Sequence, residues 1–177
     1  LKVDKLWYSF PVGEKVTAWV GPKIENYYMH GASPSIYKPV LKSFKLGGNG
    51  AAYGASTDSG IGIAYNADNG FSLSSNLVSD QNGVANGGFL TDEVDENWST
   101  QIAYTKPNYH VSLMVALKYD GWKDEYFSTV KGSTRGTGVN SSNYGLRGYW
   151  RPDNSGTATP EISVGYDIIN LTGQTGN

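Results

Sequence analysis

Along residues 109–120 every second side chain is apolar. Tyr109, Val111, Leu113, Val115, Leu117 and Tyr119 form one set, and His110, Ser112, Met114, Ala116, Lys118 and Asp120 form the other. In a β-strand alternate side chains point to opposite faces, so this stretch predicts an aliphatic face ended by tyrosines and a second face that is mostly small or polar. The same period of two recurs through the chain. Leu6, Tyr8, Phe10 and Val12 oppose Lys5, Trp7 and Ser9; after a short turn at Gly13 and Glu14, Val16, Ala18 and Val20 oppose Lys15, Thr17 and Trp19. Ile61, Ile63 and Tyr65 lead through a turn at 67–70 to Phe71, Leu73 and Leu77. Trp98, Thr100, Ile102 and Tyr104 turn at 106–108 into the 109–120 stretch. Tyr144, Leu146 and Trp150 turn through 152–156 into Ile162, Val164 and Tyr166. Pairs of such runs joined by tight turns are hairpins, so the pattern predicts four hairpins and eight strands.

The connections are unequal. Tight turns alternate with long loops near 22–59, 79–96 and 121–141, which puts the turns at one end of an up-and-down sheet and the loops at the other. Transmembrane β-barrels have this asymmetry. Aromatic residues stand near the strand ends of the apolar face, where amphipathic rings sit at the level of lipid headgroups. Lipid offers a strand edge no hydrogen-bonding partner, so such a sheet has to close on itself. The fold expected is therefore all-β, an antiparallel up-and-down transmembrane β-barrel. Eight strands are seen, and the end of the sequence, with no terminal aromatic, suggests about half of a roughly 16-stranded barrel in one segment, residues 1–177.

Composition fits many short strands and turns. Charged residues are 17% of the chain, against about 25% in ordinary domains, and there are 23 glycines and 13 tyrosines among the 177 residues. A formal net charge of -2 gives no reason to expect a nucleic-acid partner. The absence of cysteine excludes disulfides and thiolate chemistry. No apolar run is long enough for a membrane-spanning helix, a test to which transmembrane strands are invisible. The first residues contain neither an initiator Met nor a signal peptide, the expectation for a processed or truncated chain.

The stretches VDKLWYSFPVGEKVTAWVGP and FKLGGNGAAYGASTDSGIGIAYN resemble the first hairpin and the glycine-rich start of the following strand in cyanobacterial outer-membrane porins, the iron-uptake porins related to carbohydrate-selective porins. The resemblance covers about residues 1–78 and continues beyond them as pattern. It implies a barrel of about twice this length, a homotrimer, a place in the outer membrane, and passive passage of small solutes or inorganic ions. The N-terminal wall-binding domain of that family has no counterpart in these residues. No residue selects iron over other small ions.

A pore works through geometry and charge, so candidates are positional. Inward positions that would line the lumen carry Lys15, His110, Lys118, Arg147, Arg151, Glu161 and Asp167. The longest loop carries Lys23, Lys38, Lys42 and Lys45 among many apolar side chains, and it is expected to fold into the mouth or lumen as a basic constriction. The alternative for that loop is packing over a trimer partner. Asp92, Glu93, Asp95 and Glu96 make an acidic loop with a weak claim on a hard cation and without EF-hand spacing. His110 and Ser112 share a face, but no orienting carboxylate is identifiable, so no catalytic role is assigned. No cofactor is expected.

The expectation is thus a porin, a non-enzyme that sits in a lipid bilayer as a homotrimer and passes small solutes or ions through a water-filled lumen. A sealed eight-stranded barrel serving as anchor or adhesin should have a bulky or densely paired interior. A soluble ligand-binding β-barrel should turn its aliphatic face inward.

Overall fold

The chain was analysed as a computed structural model, which describes residues 2–35, 52, 57–80, 87–91, 94–119, 140–153 and 161–172. Eight strands follow in order: β1 (Leu6–Val12), β2 (Val16–Glu25), β3 (Thr57–Asn66), β4 (Phe71–Ser79), β5 (Glu96–Lys106), β6 (Tyr109–Tyr119), β7 (Asn140–Trp150) and β8 (Ile162–Thr172). Each pairs antiparallel with its neighbour in sequence, so they form one up-and-down sheet with β1 and β8 as its edges. A 3-10 turn, Asn26–Met29, follows β2. The fold is all-β, as the alternation predicted. The sheet is open between β1 and β8.

The hairpins fall where the pattern put them, with differences at the strand ends. β7 ends at Trp150 and β8 begins at Ile162; of the tight turn expected at 152–156, residues 154–156 lie outside the described residues. β8 also continues through Asn170, Leu171 and Thr172, which pair with Ser142, Ser141 and Asn140, where a loop was expected. Backbone pairing does not require apolar side chains, so a polar sequence can extend a strand whose neighbour already offers its hydrogen bonds.

Successive turns are tied together at one end of the sheet. The Asn66 N–H donates to the Lys15 carbonyl (2.8 Å), the Thr105 N–H to that of Gly70 (2.9 Å), and the Arg151 N–H to that of Asn108 (2.8 Å). Gly70 has φ +94°, and a Cβ there would collide with the Thr105 carbonyl, so this junction requires glycine. The turns are also staggered. The row of paired residues that passes Val12 at the very end of β1 passes Tyr65 and Leu73 and then Ile102, Leu113 and Leu146, well inside β5 to β7. Tilted strands with a cumulative register offset are the geometry of a curved sheet.

The two faces differ sharply. On β6, Val111 and Leu113 are 47% and 44% exposed, whereas Ser112, Met114 and Ala116 are buried. The same division holds on β3, where Ile61 and Ile63 are exposed and Ala64 is buried, and on β8, where Val164 and Tyr166 are each 63% exposed. The aliphatic face is thus the outside of the sheet. The core lies against the other face and is largely polar, with Asn97, Ser99, Gln101, Asn143 and Arg147 all buried.

Candidate functional site

The inward face is assembled from alternate positions of β2 to β8 whose side chains are mostly Gly, Ala, Ser and Asn. Small side chains leave room above the sheet, and that room is occupied by residues that follow β2. Met29 lies in a socket with Ile24 and Val78, flanked by Trp19. A Cβ on Gly62 would lie 2.7 Å from the Met29 sulfur, so the socket exists because β3 carries glycine there. The His30 ring nitrogen Nδ1 is 3.2 Å from the Asn76 side-chain amide. Gly31 lies over Ser72, with 3.0 Å between a Cβ built on the glycine and the serine Cβ. Gln101 then holds Ala32 at both backbone groups: its Oε1 accepts from the Ala32 N–H (3.1 Å), and its Nε2 donates to the Ala32 carbonyl (2.9 Å). Residues 29–32 therefore descend the inner wall along β4, from Val78 towards Ser72, and cross to β5.

Further round the sheet, Ala52 packs on Met114, and its side chain stands 2.8 Å from where a Cβ on Gly145 would be. The loop between β2 and β3 thus meets the inner wall both at β3 to β5 and at β6 and β7. Its described residues Met29 to Ala32 and Ala52 thus lie against the inner face. Lys38, Lys42 and Lys45, the core of the expected basic constriction, lie outside the described residues. Lys23 belongs to β2, not the loop, stands opposite Leu6, and donates to the Val3 carbonyl (2.8 Å).

The seven expected lumen residues divide. Arg147 is fully buried on the inner face; its Nη2 donates to Asp167 (2.7 Å), and its Nη1 donates to the Leu146 and Tyr166 carbonyls at 3.0 and 3.3 Å. His110 and Lys118 are also buried inward, each 2% exposed. Lys15 is not on the wall, because β2 begins at Val16; it sits in the first turn and pairs with Asp68 of the next turn (2.7 Å), which raises the pKa of its amine. Arg151 lies just beyond β7 and donates from Nε to the Pro107 carbonyl (2.8 Å). Glu161 precedes β8 and accepts from the Ser163 hydroxyl (2.7 Å). The charged residues thus separate into an inner pair with Lys118 and a set at the turn end, where Lys15 and Arg151 tie neighbouring turns together.

Of the acidic loop, Asp92 and Glu93 lie outside the described residues. The Asp95 carbonyl accepts from the Asp80 N–H (2.9 Å), and Glu96 opens β5 with its Oε1 accepting from the Ser79 hydroxyl (3.0 Å) and the Leu90 N–H (2.7 Å). Glu96 therefore fastens a loop to the strand ends. No group of three metal-ligating side chains occurs among the described residues. His110 Nε2 is 2.9 Å from the Ser112 hydroxyl, and its Nδ1 meets the Thr105 hydroxyl at 2.8 Å, with the ring stacked on Tyr149. His110 thus bridges two hydroxyls on the inner wall.

Sequence reasoning passed over Gln101, which clamps the loop, and a group at the loop end of β1. There the Lys5 ammonium lies 2.6 Å from Glu25 and 2.9 Å from the Tyr28 hydroxyl, while Trp7 packs on Tyr28 at 5.3 Å between ring centroids. The Glu25 carboxylate and the Tyr28 hydroxyl together raise the Lys5 pKa well above its usual value. The isolated Gly62 and Gly145 within strand patterns were the available signal that another part of the chain approaches closely. Comparison with protein-family models, curated proteins and solved structures yields no match to this chain.

Proposed function

We propose that this chain forms part of an outer-membrane β-barrel porin, a homotrimer through which small hydrophilic solutes and inorganic ions diffuse passively. The observation that carries the reading is the inverted polarity of the sheet: large aliphatic and aromatic side chains face out, and a polar set faces in. A protein surrounded by water buries the first kind and exposes the second, and contiguous apolar patches of this extent mark a surface that meets another apolar phase.

Two details agree with lipid as that phase. Tyr65, Phe71, Tyr104, Tyr109 and Trp150 gather on the outer face at the turn end, and Lys106 stands 5.5 Å from the Tyr104 ring centroid, an arrangement suited to a headgroup layer. Polar atoms in the outer band also satisfy one another. The Trp98 indole N–H donates to the Ser75 hydroxyl (2.8 Å), which lies 3.0 Å from the Thr100 hydroxyl. The unequal loops and the resemblance of the first hairpin to cyanobacterial porins add support.

The test is single-channel recording of the detergent-extracted protein in a planar bilayer. Discrete, long-lived conductance steps, grouped in threes, are expected. Insertion without conductance would instead favour a sealed barrel, and failure to insert would favour a soluble binding protein.

A further inference from the structure

We infer that residues 26–35 are an internal strap that narrows the passage, and that Gln101 is the positioning residue that keeps it seated on the inner wall. The inference rests on the porin reading and adds to it the element that sets the bore.

Three contacts of different kinds fix the strap over a short distance. Met29 fills a socket that only a glycine at position 62 leaves open; His30 meets Asn76; and Gln101 engages both backbone groups of Ala32, as a neighbouring strand would. A single side chain that satisfies one N–H and one C=O of the same residue replaces water at both, which is what a backbone segment away from a strand ladder requires. The wall beneath is made of Gly62, Ser72 and Asn76, small enough for the backbone to lie close. The strap is therefore built into the wall, not draped over it. Because it stands on the side of the sheet that the small inward residues leave vacant, its volume is taken directly from any lumen.

The chain has no cysteine, so a disulfide can report the strap's position without background. Gly31→Cys with Ser72→Cys places the two Cβ atoms near 3.0 Å, slightly closer than the roughly 3.5–4.5 Å that a disulfide uses, so the strap has only to lift a little. Mild oxidation of the inserted protein should close this bond and leave unitary conductance as in the unmodified protein, because the strap is already seated. In the same cysteine background, Gln101→Ala removes the clamp, and Gly62→Val drives a methyl into Met29. Both should slow closure of the disulfide, and both should raise unitary conductance in the reduced state, with oxidation restoring it.

No disulfide in the inserted protein would overturn the seating. Slowed closure with unchanged conductance would overturn the narrowing role. Normal closure with no conductance in any variant would leave the strap in place and defeat the porin reading instead. Gln101→Ala shortens a buried side chain and introduces no steric clash, so it remains informative if Gly62→Val fails to fold.

Discussion

At the scale of single residues, an ion pair stands on the described inner face. Arg147 and Asp167 face each other across β7 and β8 with side chains 0% and 9% exposed, and Gly145 beside them leaves the space that the pair and Ala52 occupy. Removing one partner of a buried pair leaves an uncompensated charge and costs about 3–5 kcal/mol, whereas replacing both with apolar side chains of similar volume is often neutral. Asp167→Asn is therefore expected to lower stability in urea or thermal unfolding of the detergent-solubilised protein by about that amount, and Arg147→Met with Asp167→Leu to recover most of it.

His30 supplies a pH dependence of defined sign. Desolvation holds its imidazole well below the usual value, and a proton on Nδ1 would also set two donors against each other at Asn76. The unfolded chain binds that proton below about pH 6.5 while the folded chain does not, so this contribution is complete above about 6.5 and is lost as pH falls below it. The unfolding midpoint should fall between about pH 7.5 and about pH 5, and His30→Gln should flatten the fall. None of these partnerships was legible from spacing. Arg147 and Asp167 were both placed inward by the alternation, but their pairing depends on register, and the Lys15–Asp68 pair joins residues on two different turns.

At the scale of elements, period two was enough to place eight strands and to assign both faces, because a one-residue slip would exchange them wholesale. What escaped was whatever lacks a period. The loop that holds the strap was expected to enter the mouth or lumen, but the contacts that seat it follow no alternation, and the end of β8 is too polar to stand out. Its backbone pairs with β7 regardless.

The faces support a direct test. Leu113 lies in the middle of β6 with its side chain outward and 44% exposed. On the lipid side of a membrane barrel a lysine near the bilayer midplane costs about 2–4 kcal/mol, while on a wet surface it is nearly neutral. Leu113→Lys should therefore destabilise the protein in lipid bilayers by about that amount. An unchanged unfolding free energy would argue that water covers this face. Lys15→Gln, at the exposed turn pair, serves as the control and should leave stability unmoved, since exposed ion pairs contribute little.

At the scale of the whole molecule, the two edges and the interior set conditions that have to be met together. Among the described residues β1 and β8 each pair on one side only, and both carry the apolar band on their outer face, with Tyr8 66% and Val164 63% exposed. In lipid an unpaired edge leaves several N–H and C=O groups without partners, at a cost of several kcal/mol each, so these edges require further pairing. Closure of these eight strands on themselves meets a second condition. An eight-stranded barrel is just filled by its own side chains, yet this inner face already carries the strap and Ala52 above the wall residues. On the porin reading proposed above, the sheet with its strap is an arc of a wider barrel in which β1 and β8 pair with additional strands. Amide hydrogen exchange of the membrane-inserted protein tests this without a ligand. The amides of Leu6–Val12 and Ile162–Thr172 that face away from β2 and β7 should be protected as strongly as those of β4 and β5. Fast exchange confined to those amides would mean that the edges stay open to water, and neither a closed barrel nor a water-filled lumen inside it could then stand.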